Sequence, residues 1–473
     1  MDNKLFQEFV TMLDGSVEIT ENQVKVKDAA KLRKNAHKLA EASALSTGAR
    51  QGYARYLTRQ IGLELGIYPA SINDLYAARG KGKVPFTFSV PAINLRVLSF
   101  ECARAAFRAM QKMDGAAVIF EIARSEMGYT DQKPSEYATS ILTAAIAEGY
   151  KGPVFIQGDH FQVSAKKYAA NGDAEITALK SLIDEAIAAG FFNIDVDTST
   201  LVEIDKPTIA EQQLINTKLS AVLTDYIRSK EPAGVCISIG GEIGEVGGHN
   251  STEEELRGYL DGFASELKKL DPKDYGLSKI SIQTGTSHGG VVLPDGSIAK
   301  VNVDFNILRD LSRVARKDYG LGGTVQHGAS TLPEDAFSKF VEYEATEVHL
   351  ATNFTNMFFD LIPADFKKKI YAYLDEKSAA DRKPEMTDEQ FYYKVRKNAI
   401  GPFKAESWRL PLTDREKIGK AWEDQLTKLF TSLGVRGTAK TVAEFIKPVM
   451  IKPDIKNYLA GGVEMADVSD LAD

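Results

Sequence analysis

The chain has 473 residues, of which 44% are hydrophobic and 26% charged, and this composition is typical of an ordinary globular protein. The net charge of −7 does not favour a nucleic-acid partner, and no apolar run approaches the ~20 residues of a membrane span. The start "MDNKLFQEFV" lacks the basic and apolar regions of a signal peptide. We therefore expect a cytoplasmic protein with no membrane or nucleic-acid partner.

The first part of the chain has a polar, helical pattern. The segment "KDAAKLRKNAHKLAEASAL" contains helix formers throughout, with apolar residues at three- and four-residue spacing. Glycines and a proline in "ARGKGKVP" end this pattern. We predict a helical N-terminal extension over residues 1–84.

From residue 86 onward, short apolar runs alternate with helical segments. The runs are "FTFSVPA" (86–92), "AAVIFEI" (116–122), "PVFIQ" (153–157), "FFNIDVD" (191–197), "GVCISIGGE" (234–242), "ISIQTG" (280–285), "GGTVQ" (322–326) and "ATEVHLA" (345–351). This alternation predicts parallel strands joined by helices. An open doubly wound sheet is the alternative, but the first run is not followed by the glycine-rich phosphate loop of such folds. We predict an α/β protein with a (β/α)8 TIM barrel over residues 85–360.

The remaining chain returns to charged helical patterns. The segment "DREKIGKAWEDQLTKLFTSLGV" places Trp422, Leu426, Leu429 and Phe430 on one helix face. We predict a helical C-terminal extension over residues 361–473 that packs against the barrel or a second subunit.

Histidines and carboxylates cluster near the ends of the predicted strands. Because parallel barrel strands all end at the same mouth, side chains far apart in sequence are expected to converge there. They are Asp159 and His160, Asp197, Glu242, His288, His327 and His349. Any one of these histidines alone is more simply an ordinary loop or core residue. Together, His160, His288 and His327 predict three zinc ligands, with Glu242 as a displaceable fourth.

Glycine-rich segments surround these residues. In "GGEIGEVGGHN", "TGTSHGG" and "QHGAS" the backbone can come close to a ligand, and successive N–H groups can bind an anion. These segments predict a phosphate site, with tight turns as the alternative.

Six ordered motifs resemble those of the class II (zinc-dependent) ketose-bisphosphate aldolases. They are "VPAINLRVLSF", "FIQGDHFQ", "NIDVDTS", "GEIGEVGG", "GTSHGG" and "QHGAS". The resemblance implies that Asp159 transfers the proton, that His160, His288 and His327 bind zinc, and that Glu242 is an exchangeable ligand. It further implies that Gly289, Gly328, Ser330 and Thr352 contact the ketose 1-phosphate, and that Asp197 supports the centre or holds a second cation.

The resemblance implies a specific reaction. A zinc-dependent aldolase reversibly cleaves a phosphorylated ketose, here expected to be a bisphosphate, into dihydroxyacetone phosphate and an aldehyde. Zinc, or another divalent transition metal, stabilises the enediolate as a Lewis acid, and no Schiff-base lysine is needed. The family also implies a homo-oligomer.

The sequence departs from the family pattern in several places. His249-Asn250 stands where a carboxylate is usual, and the lysine that normally follows the second zinc histidine is missing until Lys300. His349 replaces an asparagine, and we expect it to contact substrate or reach the metal. Basic residues for a second phosphate would be Lys81, Lys83 or Arg124. These departures leave two alternatives open: another metal-dependent lyase or hydrolase on the same barrel, or a non-catalytic aldolase-like subunit.

Overall fold

The structure is a computed structural model that describes residues 3–20, 23–244, 249–271, 275–286, 293, 303–459 and 471. The strands are β1 (Val17–Ile19), β2 (Val24–Val26), β3 (Ile67–Ala70), β4 (Val90–Asn94), β5 (Ile119–Ala123), β6 (Gly152–Gln162), β7 (Asn193–Asp197), β8 (Ser238–Glu242), β9 (Lys279–Ile282), β10 (Thr324–Gln326) and β11 (Glu347–Leu350).

The helices before β9 are α1 (Asn3–Met12), α2 (Ala29–Asn35), α3 (His37–Leu45), α4 (Gly48–Glu64), α5 (Asn73–Gly80), α6 (Ser99–Lys112), α7 (Arg124–Thr130), α8 (Pro134–Glu148), α9 (Ala165–Ala189), α10 (Ile209–Gln212), α11 (Leu214–Lys230) and α12 (Glu253–Leu270). Those after β9 are α13 (Phe305–Tyr319), α14 (Phe337–Glu342), α15 (Thr352–Leu361), α16 (Ala364–Lys377), α17 (Asp388–Val395), α18 (Lys404–Trp408), α19 (Leu412–Ser432), α20 (Thr438–Phe445) and α21 (Lys456–Leu459).

Strands β4 to β11 close into a parallel barrel. Each strand pairs with the next along the chain, and β11 returns to pair with β4 in the register Glu347↔Val90 to Leu350↔Ile93. Helices connect the strands, as parallel pairing requires. The predicted TIM barrel is therefore confirmed, although several strands begin or end up to five residues from the predicted runs.

The N-terminal extension contributes a strand to the barrel sheet. Strand β3 pairs in parallel with the first half of β6, from Ile67↔Gly152 to Ala70↔Phe155. Phe155 also pairs with Ile119 of β5, so β3 and β5 lie on opposite edges of β6. From Gln157 onward, β7 pairs with the same edge of β6 that β3 occupies along the N-terminal half of that strand. The extension is helical as predicted, and it contains strand β3 and the small antiparallel pair β1–β2 in addition to its helices.

Helix α5 covers the N-terminal end of the barrel. The Arg79 guanidinium donates to the carbonyls of Phe88 and Ala345, at 2.9 and 3.3 Å, just before β4 and β11. The Tyr76 hydroxyl donates to Glu347 inside the barrel. The fold therefore leaves the opposite, C-terminal end as the mouth.

The C-terminal extension is helical and packs on the barrel. Helix α19 lies against α6 and α15 and buries the predicted face of Trp422, Leu426, Leu429 and Phe430. The Trp422 indole donates to the Phe354 carbonyl at 3.1 Å. No helix in the described ranges is both long and apolar enough to cross a bilayer.

Candidate active site

A bulge in β6 explains the neighbouring pair Asp159-His160. The register between β6 and β7 shifts between Gly158 and Phe161, and His160 has a φ of 40°, which is unusual for a residue with a Cβ. An extra residue in a strand turns a side chain to the other face. Both Asp159 and His160 therefore contact groups inside the barrel, where a regular strand would present only one of them.

His160 and His327 form the centre of the mouth. His160 Nε2 lies 3.1 Å from His327 Nδ1, and both side chains are buried. Two nitrogens bound tetrahedrally to one zinc at ~2.0–2.1 Å would lie about 3.3 Å apart. The remaining nitrogens also have partners: His160 Nδ1 is 2.9 Å from Asp197 Oδ2, and His327 Nε2 is 2.9 Å from Ser281 Oγ. Such partners orient metal-binding histidines.

Glu242 joins this pair from β8. Its Oε2 lies 3.6 Å from His160 Nδ1 and 3.8 Å from His327 Nε2. His160, His327 and Glu242 can each offer one ligand atom within 4.8 Å of the others. Burial, with the charge of Asp197, raises the pKa of Glu242 well above its usual range. Two imidazoles and a carboxylate are a donor set that suits zinc or a similar divalent metal.

Asp159 lies beside this cluster next to His349. Asp159 Oδ2 accepts a hydrogen bond from Asn94 Nδ2 at 2.8 Å, and Oδ1 lies 3.2 Å from His349 Nδ1. Burial opposes ionisation of Asp159, but the charges of His160 and His349 outweigh it and hold its pKa well below the usual range. Asp159 is therefore a carboxylate that can accept a proton.

Below the histidines, Lys279 holds a layer of carboxylates together. Its ammonium group donates to Gln157 Oε1 at 2.8 Å, lies 2.9 Å from Asp195 Oδ1, and forms an ion pair with Glu347. Glu347 Oε1 in turn lies 2.7 Å from His349 Nε2. A Cβ on Gly240 would clash with Asp195 and Lys279, so β8 needs glycine at this position.

The charge in the barrel also supports a cation at the mouth. The buried carboxylates within the described barrel strands are Glu121, Asp159, Asp195, Asp197, Glu242 and Glu347. Among the described residues, Lys279 is the only lysine or arginine that forms an ion pair with any of them. Burial raises the pKa of Glu121 to about 8, and the charge of Asp159 adds to this shift. At the mouth, Asp159, Asp197 and Glu242 face histidines and not lysine or arginine within the described chain, and a divalent ion can use these imidazoles as ligands.

The predicted phosphate-binding residues lie partly within the described chain. His288 and Gly289 lie outside the described residues, so their roles stay predictions. Gly328 follows His327, and the Ser330 hydroxyl accepts a hydrogen bond from the Ala351 N–H at 2.6 Å. Thr352 is the first residue of α15. These three residues lie at the adjacent C-terminal ends of β10 and β11.

The basic residues considered for a second phosphate lie elsewhere. Arg124 forms a buried ion pair with Glu175 at 2.5 Å and donates to the Gln162 carbonyl. Lys81 and Lys83 follow α5 at the closed end of the barrel. The suggestion that they bind substrate phosphate is therefore wrong for Lys81 and Lys83, and Arg124 already has a carboxylate partner.

Four charged residues inside the barrel were not predicted from the sequence. Glu121, Asp195, Lys279 and Glu347 lie within β5, β7, β9 and β11 and face into the barrel. The available signal was a charged residue inside each of the apolar runs "AAVIFEI", "FFNIDVD" and "ATEVHLA". A charge within a buried strand needs a partner: Lys279 pairs with Asp195 and Glu347, and Glu121 contacts Gln157 and His349.

Comparison with known sequence families identifies the family of this chain. A sequence model described as "Fructose-bisphosphate aldolase class-II" matches residues 86–406, which include the whole barrel. The chain belongs to this family. No curated protein matches the sequence significantly.

Several solved structures are similar to this chain at low sequence identity. The fructuronate-tagaturonate epimerase UxaE from Cohnella laeviribosi is 12% identical, with 90% of each chain covered and a TM-score of 0.52. The fructose-bisphosphate aldolase from Campylobacter jejuni is 17% identical to this chain, with a TM-score of 0.47. The match covers 78% of this chain and 97% of the Campylobacter protein. The YdjI aldolase from Escherichia coli K12 is 13% identical, covering 78% and 99%, with a TM-score of 0.45.

Proposed function

We propose that this protein is a metal-dependent aldolase that reversibly cleaves a phosphorylated ketose to dihydroxyacetone phosphate and an aldehyde. The observation that carries the proposal is the buried pair His160–His327 directly beside the ionised carboxylate of Asp159. Aldol cleavage needs a cationic centre for the carbonyl oxygen and a base for the hydroxyl at the bond that breaks. The mouth of the barrel supports both requirements at adjacent positions.

The proposed metal ligands are His160, His327, His288 and the exchangeable Glu242. A divalent ion held by them would supply Lewis-acid stabilisation of the negative charge that develops on the substrate. Zinc is our first choice, because its preferred ligands are imidazole and carboxylate.

Asp159 would perform the proton transfer. It takes the proton from the hydroxyl next to the breaking carbon–carbon bond, so that the aldehyde forms as the bond's electrons pass to the other fragment. Asn94 fixes one carboxylate oxygen and His349 faces the other. His349 would also contact the substrate, while Gly328, Ser330, Thr352 and Gly289 would bind its phosphate.

The test combines elemental analysis with a retro-aldol assay over ketose mono- and bisphosphates. We expect about one divalent metal per chain and release of triose phosphate that a chelator abolishes and zinc restores. Asp159→Asn should retain the metal and lose cleavage by several orders of magnitude, while Asp205→Asn, in an exposed loop, should match the wild type. Ester or amide cleavage without triose phosphate would instead indicate a hydrolase. Metal-loaded but inert protein would indicate a non-catalytic subunit.

A second candidate is an epimerase that inverts one carbon of a ketose or its acid. Two groups able to carry a proton, Asp159 and His349, lie 3.2 Å apart, and the second replaces an asparagine of the family pattern. The related fold of fructuronate-tagaturonate epimerase makes this class a sensible addition to the assay. An epimer of unchanged mass, formed without triose phosphate, would select it.

A homo-oligomer and a cytoplasmic location stay predictions, to be tested by light scattering and by cell fractionation.

A further inference from the structure

A cavity of about 500 Å³ lies beside the N-terminal end of the barrel, opposite the mouth. Strand β6 begins at this cavity with Gly152 and Pro153, and the same strand carries Asp159 near its other end. The strand from Pro153 to Asp159 spans roughly 20 Å at ~3.3 Å per residue. The cavity is therefore separate from the candidate active site.

Both terminal extensions and the barrel contribute to the wall of this cavity. Tyr68 belongs to β3 of the N-terminal extension, Val442 to α20 of the C-terminal extension, and Met110 to α6 of the barrel. At the start of α20, the Thr438 hydroxyl accepts a hydrogen bond from the Ala116 N–H at 3.0 Å, just before β5. This bond fixes α20 against the barrel, and the pairing of β3 with β6 fixes the opposite wall. The wall is therefore formed before any ligand binds.

The Tyr68 hydroxyl is a hydrogen-bond donor without a partner among the described residues. The residue is only 6% exposed, although its hydroxyl oxygen is not fully enclosed by protein. Because Tyr68 lines the cavity, this accessible hydroxyl faces it. Burial raises the pKa of Tyr68, so the hydroxyl keeps its proton. A largely buried donor is costly to leave unpaired, and a ligand with an acceptor atom would satisfy it.

The rest of the interior is apolar and aromatic. Met110, Val442, Ile446 and the Tyr150 ring line it, and all four side chains are buried. The Tyr150 hydroxyl already donates to the Pro153 carbonyl at 2.9 Å, so this residue offers mainly its ring. Aromatic rings and methionine sulfur both make favourable contacts with aromatic rings. The volume is within the ~300–1,000 Å³ usual for small-molecule sites, so the lining suits a flat, largely apolar compound.

The charged groups of the lining lie at the rim of the cavity. Of the described residues that line it, only Asp114 and Lys151 are charged, and both are exposed to solvent. One acid and one base give the rim no preference for either sign of charge. An ion that entered the interior would lose its hydration without gaining a counter-charge. We propose that the cavity binds an uncharged bicyclic aromatic compound whose carbonyl group accepts a hydrogen bond from Tyr68.

Equilibrium dialysis of the full chain against 2-acetylnaphthalene, 2-ethylnaphthalene and 2-naphthoate tests this site. The three probes share one ring system and carry a neutral acceptor, no acceptor and a negative charge, respectively. We expect both neutral probes to bind. We expect 2-naphthoate to bind about tenfold or more weakly than 2-acetylnaphthalene, because its charge would be desolvated in the interior.

Two variants locate the bound probe. Tyr68→Phe removes only the hydroxyl, so it should weaken 2-acetylnaphthalene by about fivefold, the effect of one neutral hydrogen bond, and leave 2-ethylnaphthalene unchanged. Ala439→Trp fills the cavity from α20 and should abolish binding of both neutral probes. Lys440→Trp, which places the same side chain at an exposed position of α20, should leave binding unchanged. Melting curves identify any variant that fails to fold, and the other variant then decides.

Four results would overturn the proposal. They are absence of binding by both neutral probes, equal binding of 2-naphthoate and 2-acetylnaphthalene, failure of Tyr68→Phe to weaken 2-acetylnaphthalene selectively, and undiminished binding to folded Ala439→Trp. Dialysis after removal of metal should give the same affinities as before. Because this readout needs neither metal nor catalysis, failure of the site and failure of the aldolase proposal are distinguishable.

Discussion

Lys279 and Glu347 form an ion pair in the lower barrel in which neither side chain is exposed to solvent. Burial disfavours the charge of Lys279, but Asp195 and Glu347 outweigh this effect and raise its pKa. Through Glu347 the pair reaches His349, whose other ring nitrogen faces Asp159. A fully buried ion pair therefore supports the side chain next to the proposed base.

Removing the buried ammonium group should be costly. We expect Lys279→Met to lower the free energy of unfolding by about 3–5 kcal/mol, because it leaves Asp195 and Glu347 buried without a counter-charge. Urea denaturation measures the change. Lys317→Met, at an exposed position of α13, is the matched control and should change stability by less than about 0.5 kcal/mol. A loss of under about 1 kcal/mol in Lys279→Met would show that the layer tolerates its negative charge.

Two histidine variants should differ in metal content. His327 belongs to the proposed ligand set, so we expect His327→Ala to lose most of the bound metal. His349 is engaged by Glu347 at 2.7 Å, so His349→Ala should keep the metal and lose cleavage activity. Elemental analysis of both variants measures this. Loss of metal from His349→Ala would instead indicate that His349 is a metal ligand. Its ring nitrogen lies close enough to ligand atoms of Asp159 and His327 for the three to share an ion.

Asp197 should act on metal affinity through His160. Its Oδ2 lies 2.9 Å from His160 Nδ1, and the Ser199 hydroxyl holds the other oxygen at 2.7 Å. We expect Asp197→Ala to weaken zinc binding by about 10–100-fold, the range seen when such orienting partners are lost. Competition with a fluorescent chelator gives the affinity, with Asp205→Ala as the control. Unchanged affinity would mean that Asp197 does not orient His160.

Glu136 should give the stability a pH dependence that is remote from the active site. Burial raises its pKa to about 7, against the opposing charges of Lys404 and Arg55. Between pH 4.5 and about 7 the folded chain holds a proton that the unfolded chain releases, so this group's stabilising contribution is lost as the pH rises. Relative to the wild type, Glu136→Gln should therefore gain roughly 3 kcal/mol in unfolding free energy between pH 4.5 and 8. A difference that stays constant over this window would contradict the raised pKa.

The sequence predicted the mouth of the barrel better than its interior. His160, Glu242 and His327 could be placed because strand ends meet at one face, whatever the exact register. Lys279 and Glu121 could not, because their inward orientation depends on pairings between distant strands. The bulge that turns both Asp159 and His160 inward is likewise a property of the β6–β7 register.

Strand β3 was missed for a local reason. Its four residues, Ile67–Ala70, include Pro69, and proline within a short run argues against a strand. Its partner is in β6, more than 80 residues later, so no nearby pattern marks it. Pro69 is tolerated because β3 pairs on one side only within the described sheet.

The position of β3 also limits how this protein can be shortened. A truncated chain that begins at residue 85 would leave the backbone groups of Gly152–Phe155 without their partners along one edge of β6, and would lack the Ala70 carbonyl that the Asn193 side chain binds. It would also expose the N-terminal end of the barrel, which α5 now covers. The unit that folds independently is therefore longer than the barrel motif, and an engineered or split version should keep residues 67–80 joined to it.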